Sequence, residues 1–244
     1  MTTLLVDGDQ FIYRWAFACE TPIDWGDDLW TLHLDAQEAR AKFDTNISQL
    51  MEMLGAKHLL LALTGRQNFR KTLWPQYKAP RQDMRKPTGM QVLHQHVRDS
   101  YPCVYRPTLE ADDVLGIAAT DPHAKAPRII VSSDKDLLQV PGLHYRPNEP
   151  ERGVFAVTAE EGFQCFLVQA LAGDPVDHYP GCPGIGKAKA AKLIRAAPEW
   201  LTVLNAYLDA GLTEADALMQ ARMAKILTWE WFDHKRKEPK LWTP

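Results

Sequence analysis

Two acidic motifs, each beside an apolar segment, constrain how this chain can fold. Residues 110–113 read EADD, and residues 132–136 read SSDKD at the end of the apolar run RIIVS, 128–132. If RIIVS is a buried strand, Asp134 and Asp136 lie just past its carboxyl end, where open α/β sheets place their sites. Carboxylates at close range repel one another unless cations hold them, so the two motifs predict a metal site.

The acidic residues of EADD have a second interpretation. Asp and Glu also stabilise the first turn of a helix, because they complement its dipole and accept hydrogen bonds from its free amides. EADD alone leaves both interpretations open. Recurrence favours the metal site, because further Asp residues end the apolar stretch LLVDGD at 4–9, and GDPVD follows at 173–177.

The composition sets broad limits on the class of protein. The chain has 244 residues, a length that suits one larger domain or one domain with an appendage. Its formal net charge is -3. No apolar run is long enough to cross a bilayer, and the N-terminus lacks the basic start of a secretory signal, so we expect a cytoplasmic protein. The four cysteines are widely spaced and predict free thiols. Net charge does not exclude nucleic acid, because it is blind to how charge is distributed.

Apolar segments of strand and helix length alternate up to about Ala172. This alternation predicts an α/β fold with a mostly parallel central sheet, right-handed crossovers and helices on both faces. The predicted strands are Leu4–Asp7, His58–Leu63, Pro102–Tyr105, Arg128–Val131 and an edge strand Val154–Val157. The predicted helices are Asp35–Leu54, one from EADD to Thr120, a short one at 134–140, and 158–172, which Thr158 caps together with Glu161. Residues 21–34 are interpreted as an irregular excursion.

The segment 66–98 is strongly basic. It contains eight Lys or Arg residues against one acid, with Phe69, Trp74 and Tyr77 interleaved. Cations that neutralise phosphates and rings that stack on bases are typical of a surface that binds single strands. A basic, solvated helix face is the alternative. Pro75 and Pro80 are among three prolines that interrupt any helix here, so the segment is predicted to be a mobile loop or an arch.

A glycine-containing segment leads into a lysine-rich helix near 180–194. Gly184 and Gly186 let the backbone come close to a ligand, and the following helix offers free amides beside Lys187 and Lys189, which favours a bound phosphate. This segment, PGCPGIGKAKAAKLI, resembles the helix-hairpin-helix motif that binds the DNA backbone.

The order of motifs resembles that of the 5'-nuclease family, which includes flap endonucleases, the 5'-nuclease domain of bacterial DNA polymerase I and bacteriophage 5'-3' exonucleases. The motifs are LLVDGD, NFRKTLWPQYKAPR, EADD, SSDKDLLQ and GDPVDHYPGCPGIGKAKAAKLI. The resemblance implies a PIN-like nuclease core at 1–172, with a basic helical arch at about 66–100. It also implies a helical region at 173–244 that carries a helix-three-turn-helix and binds DNA.

The resemblance also implies roles for individual residues. The first divalent metal would be bound by Asp7, Glu110, Asp112, Asp113 and Asp134, and the second by Asp136, Asp174 and Asp177. Catalysis would depend on Asp7, Asp112, Asp134, Lys78 and Arg81, the last two contacting the scissile phosphate and the threaded 5' strand. The candidate DNA-binding residues are Arg66, Arg70, Lys71, Tyr77, Lys78, Arg81, Gly184, Gly186, Lys187 and Lys189.

The expected function is a structure-specific 5'-nuclease that cuts DNA 5' ends or flaps with two Mg2+ ions, for which Mn2+ would substitute. The resemblance implies a K+ ion at the glycine turns, and we expect a monomer. Many members of the family carry an Asp at the position of Leu63 or Thr64, where this chain has no acid. Two alternatives stay open: a ribonuclease-H-like member that removes RNA primers from RNA–DNA hybrids, and a DNA-binding homologue with an impaired site.

Overall fold

The computed structural model describes residues 2–244, apart from the side chains of Gln82 and Asp83. The described strands are β1 Thr2–Asp7, β2 Glu20–Asp24, β3 Trp30–Leu34, β4 Ala56–Leu63, β5 Cys103–Tyr105, β6 Arg128–Val131, β7 Gly142–Tyr145, β8 Phe155–Val157, β9 Phe232–Asp233 and β10 Glu238–Pro239. The described α-helices are α1 Gly8–Ala18, α2 Ala36–Met53, α3 Phe69–Leu73, α4 Met90–Ser100, α5 Ala111–Ala119, α6 Ala159–Ala172, α7 Lys187–Ala196, α8 Trp200–Asp209 and α9 Glu214–Ala224. Short 3-10 turns occur at Ala79–Asp83 and Asp136–Gln139, among others.

A six-stranded sheet in the order β5-β4-β1-β6-β7-β8 forms the centre of the fold. The first five of these strands pair in parallel, and β8 joins β7 antiparallel at the edge. The predicted mostly parallel α/β sheet is therefore confirmed. The chain adds β4 and β5 on one side of β1 and then crosses back to add β6 on the other. The order of strands thus reverses between β1 and β6, where such sheets form a crevice.

Successive residues of the central strands pack into different cores on the two faces of the sheet. Leu4 and Val6 of β1 pack with helices α1, α2 and α4, whereas Leu5 between them packs with α5 and residues 226–232. Alternation of this kind is the two-residue period of a strand. Because both faces are buried, strands β1, β4 and β6 contain continuous apolar runs, which is why they could be recognised in the sequence.

The predicted strands and helices are confirmed to within two residues at their ends, but several other elements were missed. Helix α1 begins in the DGD sequence directly after β1. Helix α4 occupies the end of the basic segment, where a mobile loop or an arch was predicted, and it packs into the core through Leu93 and Val97. Strand β7 has no apolar run, because its glycine and its buried His144 break the pattern. The excursion at 21–34 is a β-hairpin of β2 and β3, so its interpretation as irregular was wrong. Both faces of this hairpin are largely exposed, so it carries no apolar alternation.

The helices after the sheet form a second core. Helix α6 packs with α7, α8 and α9 in one apolar cluster that includes Phe166, Ile194 and Tyr207. Helix α6 precedes the predicted domain boundary at 172 but shares its core with the helices that follow the boundary. The boundary therefore stays a prediction. None of the helices within residues 2–244 combines the length and apolarity needed to cross a membrane.

Two glycines fix the junction between α6 and the segment that follows. Gly173 and Gly181 both have positive φ angles, of 66° and 68°, and their backbones are in close contact. A Cβ atom added to Gly173 would lie 2.4 Å from the nitrogen of Gly181. The nearby bond from the Cys182 amide to the Leu171 carbonyl, 2.8 Å long, holds the two segments together. This contact determines where Asp174 begins its loop.

We expect Gly173→Ala to lower the free energy of unfolding by about 1–3 kcal/mol more than Gly153→Ala does. Gly153 is a matched control because its φ and ψ, 62° and -156°, are close to the 66° and -175° of Gly173. Both substitutions carry the same backbone strain, but a Cβ at Gly153 would meet no atom within 4 Å. Urea unfolding of both variants measures the difference. Equal losses would show that strain alone, without the close contact, sets the cost.

Candidate active site

A pocket of about 400 Å³ lies at the carboxyl ends of β1 and β6. This is the point at which the order of strands reverses. Eight carboxylates line it, together with Lys78, Arg81 and Lys135. The eight are Asp7, Asp9, Glu110, Asp112, Asp134, Asp136, Asp174 and Asp177. Seven of the eight predicted metal ligands are thus brought together, and Asp113 is not among them.

The acids of the two strand ends are held by local hydrogen bonds. Asp7, the last residue of β1, accepts from the Gln10 amide at 3.1 Å and from the Ser132 hydroxyl at 3.0 Å. The Ser132 hydroxyl in turn accepts from the Asp134 amide at 3.0 Å, and Asp134 accepts from the Asp136 amide at 2.8 Å. The SSDKD motif is therefore a turn whose own amides orient its acids.

The EADD motif divides between the pocket and the interior. Glu110 is the N-cap of α5, as the helix-start interpretation predicts, and Asp112 faces the pocket. Asp113 is fully buried, and both of its oxygens are paired with the Arg70 guanidinium, at 2.7 and 2.8 Å. The prediction that Asp113 binds metal is wrong, because its charge is already neutralised inside the protein.

Arg70 is buried as well, which contradicts its assignment to DNA binding. Only 3% of it is exposed. Besides Asp113 it reaches Glu110 at 3.1 Å and donates to the carbonyl oxygens of Met223 and Lys225. It therefore joins α3, the start of α5 and the chain that follows α9.

Tyr77 does not offer a ring to DNA. Its ring is buried beside Tyr179 in the second core, and its hydroxyl lies 2.9 Å from both Glu110 Oε2 and Asp177 Oδ2. The prediction that Tyr77 binds DNA is therefore wrong, since stacking on a base needs an open ring face. The Trp74 indole is likewise used inside the protein, where it donates to the His178 carbonyl.

Lys78 and Arg81 lie between the acids of the EADD motif and those of the GDPVD motif. Lys78 has a left-handed backbone with φ of 56°, and its ammonium contacts Glu110 and lies 3.4 Å from Asp177. The Arg81 guanidinium lies 2.6 Å from Asp177. Asp174 shapes the loop that carries Asp177, because it accepts hydrogen bonds from the amides of Val176 and Asp177.

The electrostatics of the pocket show uncompensated negative charge. Burial, with neighbouring carboxylates adding to it, raises the pKa of Asp7 to about 7 and that of Asp136 to about 6. Burial and the charge of Asp7 likewise raise the pKa of Asp112. Glu110 differs: burial acts to raise its pKa, but Lys78 and Arg70 bring it down to about 2.

The donor set suits hard divalent cations. Within residues 2–244, no group of three or more His, Cys, Asp or Glu side chains converges closely enough to hold an ion as it stands. The carboxylates instead surround a cavity, which is compatible with Mg2+ because that ion keeps several of its own waters. One oxygen of Asp136 is buried without a hydrogen-bond partner. A cation in the cavity would serve this oxygen and offset both the burial and the repulsion that raise these pKa values.

A groove of about 680 Å³ adjoins the pocket and is lined by cations. Thr64, Lys78, Arg81 and Glu110 line both spaces. The cations of the groove are Arg66, Lys71, Lys78, Arg81 and Lys86. Four of the six predicted DNA-binding residues of the basic segment therefore lie together around one open surface. Arg85 points elsewhere and pairs with Glu20 of the hairpin at 2.7 Å.

The glycine segment places its two lysines on the surface. Gly184 has a φ of 73°, and Gly186 is the N-cap of α7 with no side chain bonded to the helix amides. Lys187 and Lys189 are exposed. The pKa of Lys187 is lowered by the neighbouring ammonium of Lys135, which is itself a pocket residue. The start of α7 therefore lies beside the carboxylate pocket.

Sequence reasoning missed several residues of the pocket, among them Asp9, Tyr13 and Lys135. Asp9 follows Asp7 in the DGD sequence and lies in the first turn of α1, and Tyr13 lies one turn further along. The doubled acid of DGD was the available signal for Asp9. Tyr13 is half-exposed and stacks on Phe17, so rings that could meet a ligand lie on α1 rather than on the predicted basic segment.

The fold and the site together define an α/β protein with an acidic pocket that suits metal ions, beside a cationic groove. Residues 2–149 match the family model described as the 5'-3' exonuclease, N-terminal resolvase-like domain. The chain belongs to this 5'-3' exonuclease family.

Similar proteins share nearly the full length of the chain. The exodeoxyribonuclease of Enterobacteria phage T3 is 29% identical over 99% of this chain and 92% of its own length. The flap endonuclease Xni of Shewanella oneidensis is 28% identical over 79% of this chain and 78% of its own. The crystal structure of the bacteriophage T5 flap endonuclease with DNA and metal ions has a TM-score of 0.67 at 15% identity, covering 92% of this chain and 88% of that one. The last likeness shows the fold.

The neighbours Arg70 and Lys71 test how the basic segment divides between interior and surface. We expect Arg70→Gln to lower the free energy of unfolding by about 3–5 kcal/mol, because it leaves Asp113 buried without its partner. Lys71→Gln, the matched control, removes one exposed cation and should change stability by less than about 0.5 kcal/mol. Urea unfolding compares the two. A small loss for Arg70→Gln would contradict the buried pairing.

The raised pKa values predict how the pocket affects stability in EDTA. A carboxyl whose pKa is raised by folding favours the folded state at low pH and loses that effect as the pH rises through its folded pKa. This stabilising effect is lost over the pH range from 3.8 to about 7 for Asp7 and from 3.8 to about 6 for Asp136. We therefore expect the double variant Asp7→Asn and Asp136→Asn to gain in Tm, relative to wild type, as the pH rises from about 5 to about 8.

The comparison with wild type is needed because His94 and His144, whose pKa values burial lowers, act in the opposite sense over part of this range. Asn at position 7 can still cap α1. Thermal unfolding in EDTA at each pH measures the difference. If the Tm difference between the variant and wild type stays constant or shrinks with rising pH, folding does not raise the pKa values of Asp7 and Asp136.

Proposed function

We propose that this protein is a structure-specific 5'-nuclease that hydrolyses DNA phosphodiester bonds at 5' ends and 5' flaps, in replication or repair. The observation that carries the proposal is the pocket of eight carboxylates opening into a groove lined by five cations, in a chain of the 5'-3' exonuclease family. An acidic pocket repels a phosphodiester unless metal ions intervene. The cationic groove beside it favours a polyanion.

The pocket residues divide into two candidate metal positions. The first ion would be held by Asp7, Glu110, Asp112 and Asp134, and the second by Asp136, Asp174 and Asp177. Carboxylate oxygens with no Cys or His among them favour Mg2+, with Mn2+ as a substitute. When bound, two such ions supply an activated water and stabilise the leaving oxygen of phosphodiester hydrolysis.

Lys78 and Arg81 would position the scissile phosphate. Both line the pocket as well as the groove, so a phosphate between the two spaces would meet both cations. Their charge would offset the charge that develops on the phosphate during hydrolysis. The Lys78 amide donates to the Asp177 carbonyl at 2.9 Å, and this bond holds the Lys78 backbone beside the pocket.

The groove would guide the 5' strand, and α7 would hold the duplex. Arg66 and Lys71 line the groove together with Lys86, which lies shortly before α4, so the part of segment 66–100 that precedes α4 would cover the strand as an arch. The exposed amides at the start of α7, with Lys187 and Lys189 beside them, would bind a duplex phosphate. The glycine turns before α7 are the proposed K+ site of a helix-three-turn-helix.

The proposed function is tested by cleavage of a 5'-labelled flap duplex in Mg2+. The controls are the same duplex without the flap, the same reaction in EDTA, and a duplex whose 5' strand is RNA. Cutting near the flap junction that EDTA abolishes is the expected result. Binding of the duplex without cleavage in Mg2+ or Mn2+ would contradict the proposal and favour a DNA-binding homologue. Faster cutting of the RNA strand would move the substrate class to RNA–DNA hybrids.

We expect Asp134→Asn or Asp136→Asn to abolish flap cleavage while the affinity for the duplex stays close to that of wild type. Each change removes a charge that would hold metal and leaves the cationic groove intact. Asp99→Asn, which alters an exposed acid outside the pocket, should cleave normally. Gel-based cleavage and fluorescence anisotropy measure the two properties. Turnover retained by purified Asp134→Asn and Asp136→Asn would refute the two-metal assignment.

A further inference from the structure

Asp9 brings a carboxylate to the end of a strand that has none of its own. Its Oδ2 accepts a hydrogen bond from the Thr64 amide at 2.8 Å, directly after β4. Leu63 is buried in the core and Thr64 carries only a hydroxyl. The carboxyl end of β4 therefore acquires its acid from the first turn of α1.

The Asp9 side chain is fixed but not fully neutralised. Its other oxygen, Oδ1, is buried, makes no hydrogen bond and lies 3.6 Å from His94 Nε2. The side chain is still 23% exposed where it lines the pocket. Asp9 and Asp7 line the same pocket. The two carboxylates therefore act on the same space.

We propose that Asp9 is an outer ligand of the first metal ion and supplies the negative charge that the end of β4 lacks. The proposal rests on the metal-dependent function proposed above. Groups that orient or support a metal from outside its direct ligands typically contribute about 10- to 100-fold to its affinity. Thr64 takes part by holding Asp9, and its own hydroxyl accepts from the Ala111 amide at the start of α5.

A purely structural role for Asp9 makes a different prediction. In that role its carboxylate only accepts the hydrogen bond from the Thr64 amide, and an uncharged Asn can accept the same bond. Asp9→Asn therefore separates the two roles, because it removes the charge and keeps an acceptor. Asp27→Asn is the matched control, since Asp27 is an exposed acid of the β2–β3 hairpin outside the pocket.

The test is a calorimetric titration of Mn2+ into the full-length protein without DNA. We expect Asp9→Asn to bind Mn2+ about 10- to 100-fold more weakly at the tightest site, and Asp27→Asn to match wild type. The Mg2+ concentration for half-maximal flap cleavage should rise by a similar factor, with the maximal rate largely retained. An Asp9→Asn affinity within about twofold of wild type would overturn the proposal.

A second variant distinguishes the effect of the Asp9 charge from a structural role of the Asp9 side chain. Thr64 is exposed and lines the pocket, so Thr64→Asp in the Asp9→Asn background restores a carboxylate at the end of β4. We expect this double variant to recover most of the Mn2+ affinity. A loss in Asp9→Asn that Thr64→Asp does not recover would assign Asp9 a structural role and overturn the proposal.

Because Mn2+ binding is measured without DNA, the result is separate from that of the proposed nuclease. Wild type that binds Mn2+ but cuts no flap would contradict the proposed function and leave the Asp9 comparison valid. Wild type that binds no Mn2+ would overturn the assignment of Asp9.

Discussion

The structure depends on one electrostatic constraint, which is the gathering of eight carboxylates around a single pocket. Burial of a carboxylate raises the free energy of the folded state, and like charges nearby add to this cost. Burial, followed by the neighbouring carboxylates, raises the pKa of Asp7 to about 7 and that of Asp136 to about 6. The fold tolerates it because hydrogen bonds from neighbouring backbone and side-chain groups hold the acids in place, as Gln10 and Ser132 hold Asp7. Stability is given up where function needs a strained site.

The Arg70–Asp113 pair shows how the same charges stabilise the scaffold when they are compensated. The pair is completely enclosed and fixes the start of α5, so it sets the position of Glu110 and Asp112 beside it. It also holds the chain after α9 through the Met223 and Lys225 carbonyls. The C-terminal helices and the carboxylate pocket are therefore mechanically connected by one buried guanidinium.

Much of the fold and part of the site could be predicted from the sequence. Strands buried on both faces are continuous apolar runs, and acids directly after β1 and β6 must lie at the same sheet edge, so Asp7 and Asp134 were found by local pattern. The division of EADD was not predictable, because Asp112 and Asp113 are adjacent and only the fold shows which one Arg70 meets. Arg70 itself looked like any other cation of the basic segment, and its burial depends on a partner 43 residues away in the chain.

The remaining errors have the same origin in non-local contacts. Tyr77 was assigned to DNA because aromatic rings among cations suggest stacking, but the second core encloses its ring. Asp9 was not among the predicted ligands, because the amide of Thr64, 55 residues later, is what holds its carboxylate at the pocket. Local pattern predicts where a strand ends, and the packing of distant segments decides which side chains reach the site.

Anomalous diffraction from crystals of the wild-type protein soaked in Mn2+ tests most directly whether the carboxylate pocket binds two metal ions. We expect two Mn2+ ions in the pocket, one contacted by Asp7, Asp112 and Asp134 and the other by Asp136, Asp174 and Asp177, with none at Asp113. Ions found only outside this pocket, or one bound to Asp113 in place of Arg70, would contradict this expectation.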